Sequence, residues 1–409
     1  MRKFFCSIVL LVIWPFSCLA GMEKVSIPAL DGKLQIPGYW FKAESAGAAA
    51  LSPVVIDLHG CGGALDAEGA LNPVWKRDAR YFNLEKIHVL VLDNFTPRGR
   101  KSICETATAQ RTIHEEDRRA DVFAAMRWLS QQPGVDAERI VVMGRSHGAQ
   151  TVLSVLDRTD SFVKAQPIQP RAAIALYPGC MKFEQQWNYA LSAPLLLMIG
   201  ELDDWTPATR CVNLHRKVVR AQKDAVFDLT VFPGSYHGFD GTAAVRQRSN
   251  LGNTRSGSAM VGGNPQAREK AHQLTFEFIA RHLNLPLQRT HAERFREHFF
   301  VAPATSQFAA INDVAAVPVS EAGQARYQHY LTLPSPKAFV VTEKGRWYFN
   351  AEDPEAMMNA LEPCDQSKTR CWLYAVDHQV VWQSDVAART DKTRLRERWP
   401  TRWPSADVR

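Results

Sequence analysis

Short runs of apolar residues alternate along this chain with longer stretches in which apolar positions recur every three or four residues. Strands are expected at 53–60, 87–93, 136–142, 172–177, 194–199 and 227–232, and the run that leads into Gly144 is almost wholly apolar. That pattern suits strands buried on both faces of a parallel sheet. Ahead of them, β-prone runs at 25–28 and 34–40 flank Asp31-Gly32, which predicts an opening hairpin. Over 116–131, Ala120, Val122, Phe123, Ala124, Met126, Trp128 and Leu129 fall at helical spacing. Helices are also expected over 67–80, 207–221 and 265–283, with Thr206 as an N-cap and Pro207 in the first helical position. Strands alternating with helices predict a mostly parallel sheet covered on both faces.

The pattern changes beyond Leu283. Residues 289–320 are mixed in composition and read as a connector between a sheet domain over 21–288 and a second unit over 321–390. In that unit, 337–342 and 346–349 flank Glu343-Lys344-Gly345 as a hairpin, 353–361 suits a short helix, and 371–376 and 379–382 suit two further strands. The result is a small α+β module followed by a basic tail over 391–409. Residues 1–20 begin with Arg2-Lys3, continue through an apolar run and end in Leu19-Ala20 before Gly21. This pattern is that of a secretory signal peptide cleaved after Ala20. Its apolar run is short for a membrane span, so the expected product is periplasmic or secreted with no stable membrane anchor.

Composition narrows the function. An apolar fraction of 46% supplies a core, and 22% charged residues argues against wholesale disorder. The net charge of +7 is spread along the chain without a basic stripe interleaved with aromatics, so no nucleic-acid partner is expected. Export changes how the cysteines read. Cys6 and Cys18 leave with the leader, and Cys61, Cys104, Cys180, Cys211, Cys364 and Cys371 remain as disulfide candidates. Pairing sequence neighbours gives Cys61–Cys104, Cys180–Cys211 and Cys364–Cys371. The two-residue cysteine spacing of a zinc site is lacking, and neither a metal nor a cofactor is expected.

The chemistry centres on Gly144-Arg145-Ser146-His147-Gly148, where the strand ending at Val142 gives way to a helix. Glycines on either side of a sharp strand-to-helix turn leave the Ser146 hydroxyl exposed as a nucleophile. A serine needs a base and a group to orient that base, and both lie downstream in the order expected of such sheets. His237, in Pro233-Gly234-Ser235-Tyr236-His237-Gly238-Phe239, is the candidate base. Asp203, Asp204 and Glu201, in Gly200-Glu201-Leu202-Asp203-Asp204-Trp205-Thr206-Pro207, compete as the acid. The His147 N–H would point at the developing oxyanion. A second donor would come from His59-Gly60-Cys61-Gly62-Gly63, with the Cys61 N–H first and Gly62 next. The His147 ring reads as pocket wall. The Cys61 sulfur is a rival nucleophile, which pairing with Cys104 would occupy. Trp205, Tyr236 and Phe239 are candidate pocket residues, and the Gly/Ser/Asn-rich stretch 241–263 suits either a lid or a surface loop.

Taken together, His59-Gly60-Cys61-Gly62-Gly63, Gly144-Arg145-Ser146-His147-Gly148, Gly200-x-x-Asp203-x-x-x-Pro207 and His237-Gly238-Phe239 resemble an exported member of the dienelactone hydrolase-like family of α/β-hydrolases. The resemblance covers roughly 25–283. It implies the eight-stranded α/β-hydrolase fold and metal-free hydrolysis of a small-molecule carboxylic ester or lactone through an acyl-enzyme. It also implies an acid four residues before the proline, which is Asp203. Dienelactone hydrolase itself carries a cysteine nucleophile where this chain has Ser146, so the resemblance extends to ester hydrolysis rather than to that substrate. The C-terminal module resembles a small Cys-containing domain appended to some exported hydrolases. Two other readings share the fold: a serine peptidase of the prolyl-oligopeptidase type and a non-catalytic binding protein.

Overall fold

In the computed structural model, which describes residues 22–43, 50–286, 302–353, 356–367 and 369–382, the apolar runs become strands of one eight-stranded sheet. β1 (Met22–Pro28) and β2 (Gln35–Phe41) form the antiparallel hairpin at one edge, and β2 pairs antiparallel with β4 (His88–Leu92). β3 (Ser52–Leu58), β5 (Val135–Arg145), β6 (Ala172–Leu176), β7 (Leu195–Gly200) and β8 (Phe227–Phe232) continue the sheet in parallel, in the order β1-β2-β4-β3-β5-β6-β7-β8. Every residue of β3, β4, β6 and β7 is buried. With helices on both faces, neither side of these strands meets water, so their sequences carry no alternation.

The helices of this part are α1 (Pro73–Leu84), α2 (Glu115–Leu129), α3 (His147–Val155), α4 (Ser161–Lys164), α5 (Met181–Gln185), α6 (Ala208–Ala221) and α7 (Pro265–Leu283). The expected helix over 67–80 starts later because turn chemistry claims its first residues. Asp66 Oδ1 accepts the Ala70 N–H, Leu65 bridges to Leu71, and Asn72 caps the Val74 N–H ahead of Pro73. Asn264 and Pro265 begin α7 in the same way, and Asn284 ends it in the left-handed conformation at φ 52°. Thr206 does not cap α6. That helix begins at Ala208, and the Thr206 hydroxyl is occupied elsewhere.

Register determines where the loops meet. Leu58 lies opposite Gly144, Arg145 opposite Leu176, and Gly200 opposite Phe232. The carboxyl ends of β3, β5, β6, β7 and β8 therefore share one rim, where open α/β sheets place their ligands. Over the same rim, β9 (Arg246–Arg248) and β10 (Ala259–Val261) form a two-stranded antiparallel hairpin within the 241–263 stretch.

The C-terminal module contains α8 (Glu321–Thr332), β11 (Lys337–Thr342), β12 (Trp347–Ala351), α9 (Ala356–Gln366), β13 (Cys371–Val376) and β14 (Gln379–Val380). Its sheet is antiparallel, in the order β12-β11-β13-β14. Successive side chains of β11 face opposite ways. Ala338 and Val340 pack with Met357, Ala360 and Leu361 of α9, whereas Phe339 and Val341 pack with Tyr327 and Tyr330 of α8. The stretch read as a connector joins this packing, because Val317 is buried beside Tyr327 and the Ser306 N–H donates to the Val380 carbonyl. Lys337 is buried with its ammonium on the carbonyls of Tyr330, Leu331 and Leu333, which closes the end of α8.

Cys61 is bonded to Cys104, Cys180 to Cys211 and Cys364 to Cys371, the pairs of sequence neighbours. Among the described residues, no helix is long and apolar enough to cross a membrane. The expected leader over 1–20 and the expected tail over 391–409 lie outside the described residues.

Candidate active site

Ser146 sits between the last residue of β5 and the first of α3, with φ 53° and ψ −117°. A non-glycine residue at positive φ is held there at a cost of about 1–3 kcal/mol, which the surroundings must impose. They do so by close crossing. A Cβ at Gly148 would stand 2.2 Å from the Leu58 carbonyl oxygen, and one at Gly144 would stand 2.5 Å from the Gly148 backbone. Both glycines are therefore required for α3 to leave the sheet so abruptly. The Ser146 N–H donates to the Leu176 carbonyl at 2.9 Å and fixes the tip of the turn.

His237 and Asp203 arrive from the loops after β8 and β7. His237 Nε2 is 3.0 Å from Ser146 Oγ, and its Nδ1 is 2.8 Å from Asp203 Oδ2. An ionised carboxylate only accepts, so Nδ1 carries the proton and Nε2 is free to accept from the serine hydroxyl. Asp203 is itself tightly held. Its Oδ1 accepts the N–H groups of Trp205 and Thr206, at 3.0 and 2.7 Å, and its Oδ2 lies 2.9 Å from the Thr206 hydroxyl. The other candidate acids point away: Asp204 accepts the Met260 N–H, and Glu201 accepts the Gly234 N–H.

The imidazole lies among aromatic rings, with the centroids of Tyr177 and Trp205 at 4.6 and 4.7 Å. Phe239, expected to line a pocket, is instead fully buried against Phe232 and Tyr177. Tyr236 is half-buried. The β9–β10 hairpin is fastened to this side of the site. Gly262 donates to the His237 carbonyl, Trp205 Nε1 donates to Asn253, and Leu251 and Ala259 are buried with Trp205, Ile103 and the Cys61–Cys104 pair.

On the opposite side, Gly60 lies against Ser146, because a Cβ there would come 3.4 Å from both the Arg145 carbonyl oxygen and Ser146 Cβ. Next along the loop, Cys61 is fixed by its disulfide and by the Ile103 N–H on its carbonyl at 2.8 Å. Its own N–H has no partner among the described residues. At the head of α3, His147 is the first helical residue, so its N–H has no intrahelical acceptor, and it has no other partner among the described residues. Cys61 and His147 thus offer unpaired N–H groups from the two segments that flank the serine. The Cys61 sulfur, bonded to Cys104, carries no thiol.

Two buried arginines stand behind the serine, and motif reading passed over both. Arg145 forms ion pairs with Asp240 at 2.6 Å, with Asp57 at 3.2 Å and with Asp78. The Tyr177 hydroxyl donates to Asp240 at 2.7 Å. Despite burial, Asp78, Asp57 and Asp240 hold Arg145 firmly charged. Burial raises Asp57 to about 6, against the opposing pull of Arg145. Arg118, from α2, is wholly buried and donates to the His59 carbonyl at 2.7 Å, His147 Nδ1 at 2.7 Å and Asn94 Oδ1 at 3.1 Å. Burial and the Arg118 charge hold His59 and His147 well below the ordinary histidine range. A usable signal was present, since Asp57 and Arg145 are charges set in apolar runs and a buried charge requires a partner. The sequence does not say which charges pair.

Among the described residues, no group of histidine, cysteine and carboxylate side chains is placed to hold a metal ion.

A serine at a strand–helix elbow, an imidazole on its hydroxyl and a carboxylate behind the imidazole, on a mostly parallel sheet, define an α/β-hydrolase of the serine type. Residues 81–283 match the dienelactone hydrolase family. The matched stretch resembles that family, and the chain is a hydrolase acting on carboxylic esters. Among solved structures it is similar to esterase 2 of the planctomycete Thermogutta terrifontis, at 18% identity and a TM-score of 0.48 over 66% of this chain and 95% of that one. It is also similar to puromycin hydrolase, at 17% identity and a TM-score of 0.48 over 66% of this chain and 40% of that one. Comparison with curated proteins gives no match.

Proposed function

We propose that this chain is an exported serine esterase that cleaves small carboxylic esters or lactones through an acyl-enzyme on Ser146. The observation that carries the reading is the continuous hydrogen-bond chain from Ser146 Oγ to His237 Nε2 at 3.0 Å and from His237 Nδ1 to Asp203 Oδ2 at 2.8 Å. In the reaction, His237 Nε2 takes the hydroxyl proton as Ser146 Oγ bonds to the substrate carbonyl carbon. Asp203 holds the ring in the tautomer this requires and stabilises the imidazolium. The carbonyl oxygen becomes an oxyanion that accepts from the N–H groups of His147 and Cys61, each donor being worth about 3–4 kcal/mol in the transition state. Collapse of the intermediate breaks the bond to the alcohol oxygen, which leaves with the proton from His237. Water then attacks the acyl carbon, gives its proton to His237, and releases the carboxylic acid and the free serine. Export is supported by the leader pattern over 1–20 and by the three disulfides.

The reading is tested with a fluorophosphonate probe followed by peptide mapping, and with a p-nitrophenyl ester series run beside peptide amides. The expected outcome is a phosphonyl group on Ser146, ester turnover and little amide turnover. Folded protein that stays unlabelled would falsify the proposal, and preferential amide cleavage would make the protein a peptidase.

A further inference from the structure

Arg118 places a positive charge where, among the described residues, no carboxylate touches it. Its side chain is completely buried, and its three hydrogen-bond acceptors, the His59 carbonyl, Asn94 Oδ1 and His147 Nδ1, are all neutral. The nearby carboxylate, Asp121, is taken up by other groups. It accepts two bonds from Arg98, at 2.8 and 2.9 Å, and one from Asn94 Nδ2 at 2.7 Å. A buried cation without a contacting anion is costly, and burial lowers Arg118 to about 9.

Its acceptors are informative because of where they lie. His59 ends the approach to the Gly60-Cys61 turn, and His147 is the first residue of α3. These segments carry the two unpaired N–H groups on either side of Ser146. Phe95 completes the arrangement, with Arg118 5.1 Å from its ring and the His59 ring edge-on at 4.5 Å. We propose that Arg118 is the positioning residue of the oxyanion hole: it braces the Cys61 loop against the head of α3, so that both N–H groups converge on the substrate oxygen, and it directs its own charge toward them.

The inference rests on the serine-esterase reading and deepens it. A guanidinium has no acceptor, so the His147 Nδ1 that meets it must present its lone pair. The neutral ring then carries its proton on Nε2, a nitrogen with no partner among the described residues. No atom of Arg118 need touch the substrate for this role.

The test compares Arg118→Lys and Arg118→Met with the wild type, each normalised by fluorophosphonate titration of Ser146 and checked for folding by circular dichroism. Kinetics on p-nitrophenyl butyrate are read beside inhibition by a trifluoromethyl ketone, which becomes an oxyanion when Ser146 adds to it, and by an unreactive amide analogue. Misplaced donors lower kcat by about 10- to 100-fold. KM and amide binding stay within about twofold, and the ketone weakens by the same factor as kcat. The lysine variant keeps a charge but cannot span three acceptors, and it falls between wild type and Arg118→Met. If Arg118→Met does not fold, the lysine variant carries the comparison. A folded variant with wild-type kcat overturns the inference, as does equal weakening of ketone and amide. Wild-type protein that leaves Ser146 unlabelled overturns the esterase reading as well, whereas labelled wild type with unaffected variants overturns this inference alone.

Discussion

Arg145, next to Ser146 in the chain, and Arg118, on α2, are both buried behind the serine, and they differ in what surrounds them. Arg145 meets three carboxylates, Asp57 from β3, Asp78 from α1 and Asp240 three residues beyond His237. Its charge is neutralised where it sits, and its effect is mechanical: the elbow, the sheet, α1 and the histidine loop are pinned to one guanidinium. Arg118 meets only neutral oxygens and a nitrogen. Asp121, Asp93 and Glu115 offset its positive charge only from beyond contact, so part of it still reaches the side where negative charge develops during acyl transfer. A compensated buried cation fixes geometry, whereas a partly compensated one also contributes a field.

The widest break in this comparison comes from the triad itself. Ser146→Ala is expected to lower kcat by roughly 10⁴–10⁶-fold with the fold intact, as circular dichroism and ester kinetics would show. Asp203→Asn follows at about 10⁴-fold, because an amide no longer enforces the Nδ1–H tautomer of His237. Stability then separates the arginines. Arg145→Met strands three buried carboxylates and should cost roughly 3–5 kcal/mol in urea unfolding. Arg118→Met breaks no ion pair and should cost less, while losing more activity per folded molecule. Equal unfolding penalties would erase the distinction.

How much of this was legible in the sequence depends on whether a feature is local. The elbow was, since Gly144-Arg145-Ser146-His147-Gly148 is contiguous in the chain, although the backbone that demands Gly148 is that of Leu58 in β3. Strand order in a parallel sheet fixes which loops share a rim, which points to His237 and to the 200–207 loop. The choice of Asp203 over Asp204 and Glu201 comes instead from the family resemblance. Turn chemistry at Asp66 and Asn72 shifted the start of α1, a competition between side-chain caps that periodicity does not register. Thr206 suits a helix cap by its neighbours, Pro207 above all. In the structure Asp203 draws its hydroxyl away. The pairing of Arg145 with Asp240, and of Arg118 with His147, joins residues far apart along the chain. A single sequence holds no signal for that. The C-terminal module shows the same limit, since α8 owes its burial to Tyr327 and Tyr330 meeting Phe339, not to an apolar stripe visible in advance.

The finest test uses pH, because the two arginine clusters titrate with opposite sign. His59 and His147 are depressed well below the ordinary value by burial and by Arg118. Their contribution to stability is therefore full above the unfolded histidine pKa, about 6.5, and is lost as pH falls below it. The slope approaches about 1.4 kcal/mol per pH unit for each histidine. Asp57, beside Arg145, is raised to about 6. Its contribution is full below the unfolded carboxylate pKa, near 4, and is lost as pH climbs through about 6. Between pH 7.5 and 5.5 two histidines act against one aspartate, so urea unfolding should show stability falling with pH. His147→Gln, which keeps an acceptor for Arg118 but cannot protonate, should flatten that fall. Asp57→Asn removes the opposing group and should steepen it. Unchanged slopes in both variants would mean that neither buried cluster governs the acid sensitivity of the fold, and the contrast between the two arginines would then rest on geometry alone.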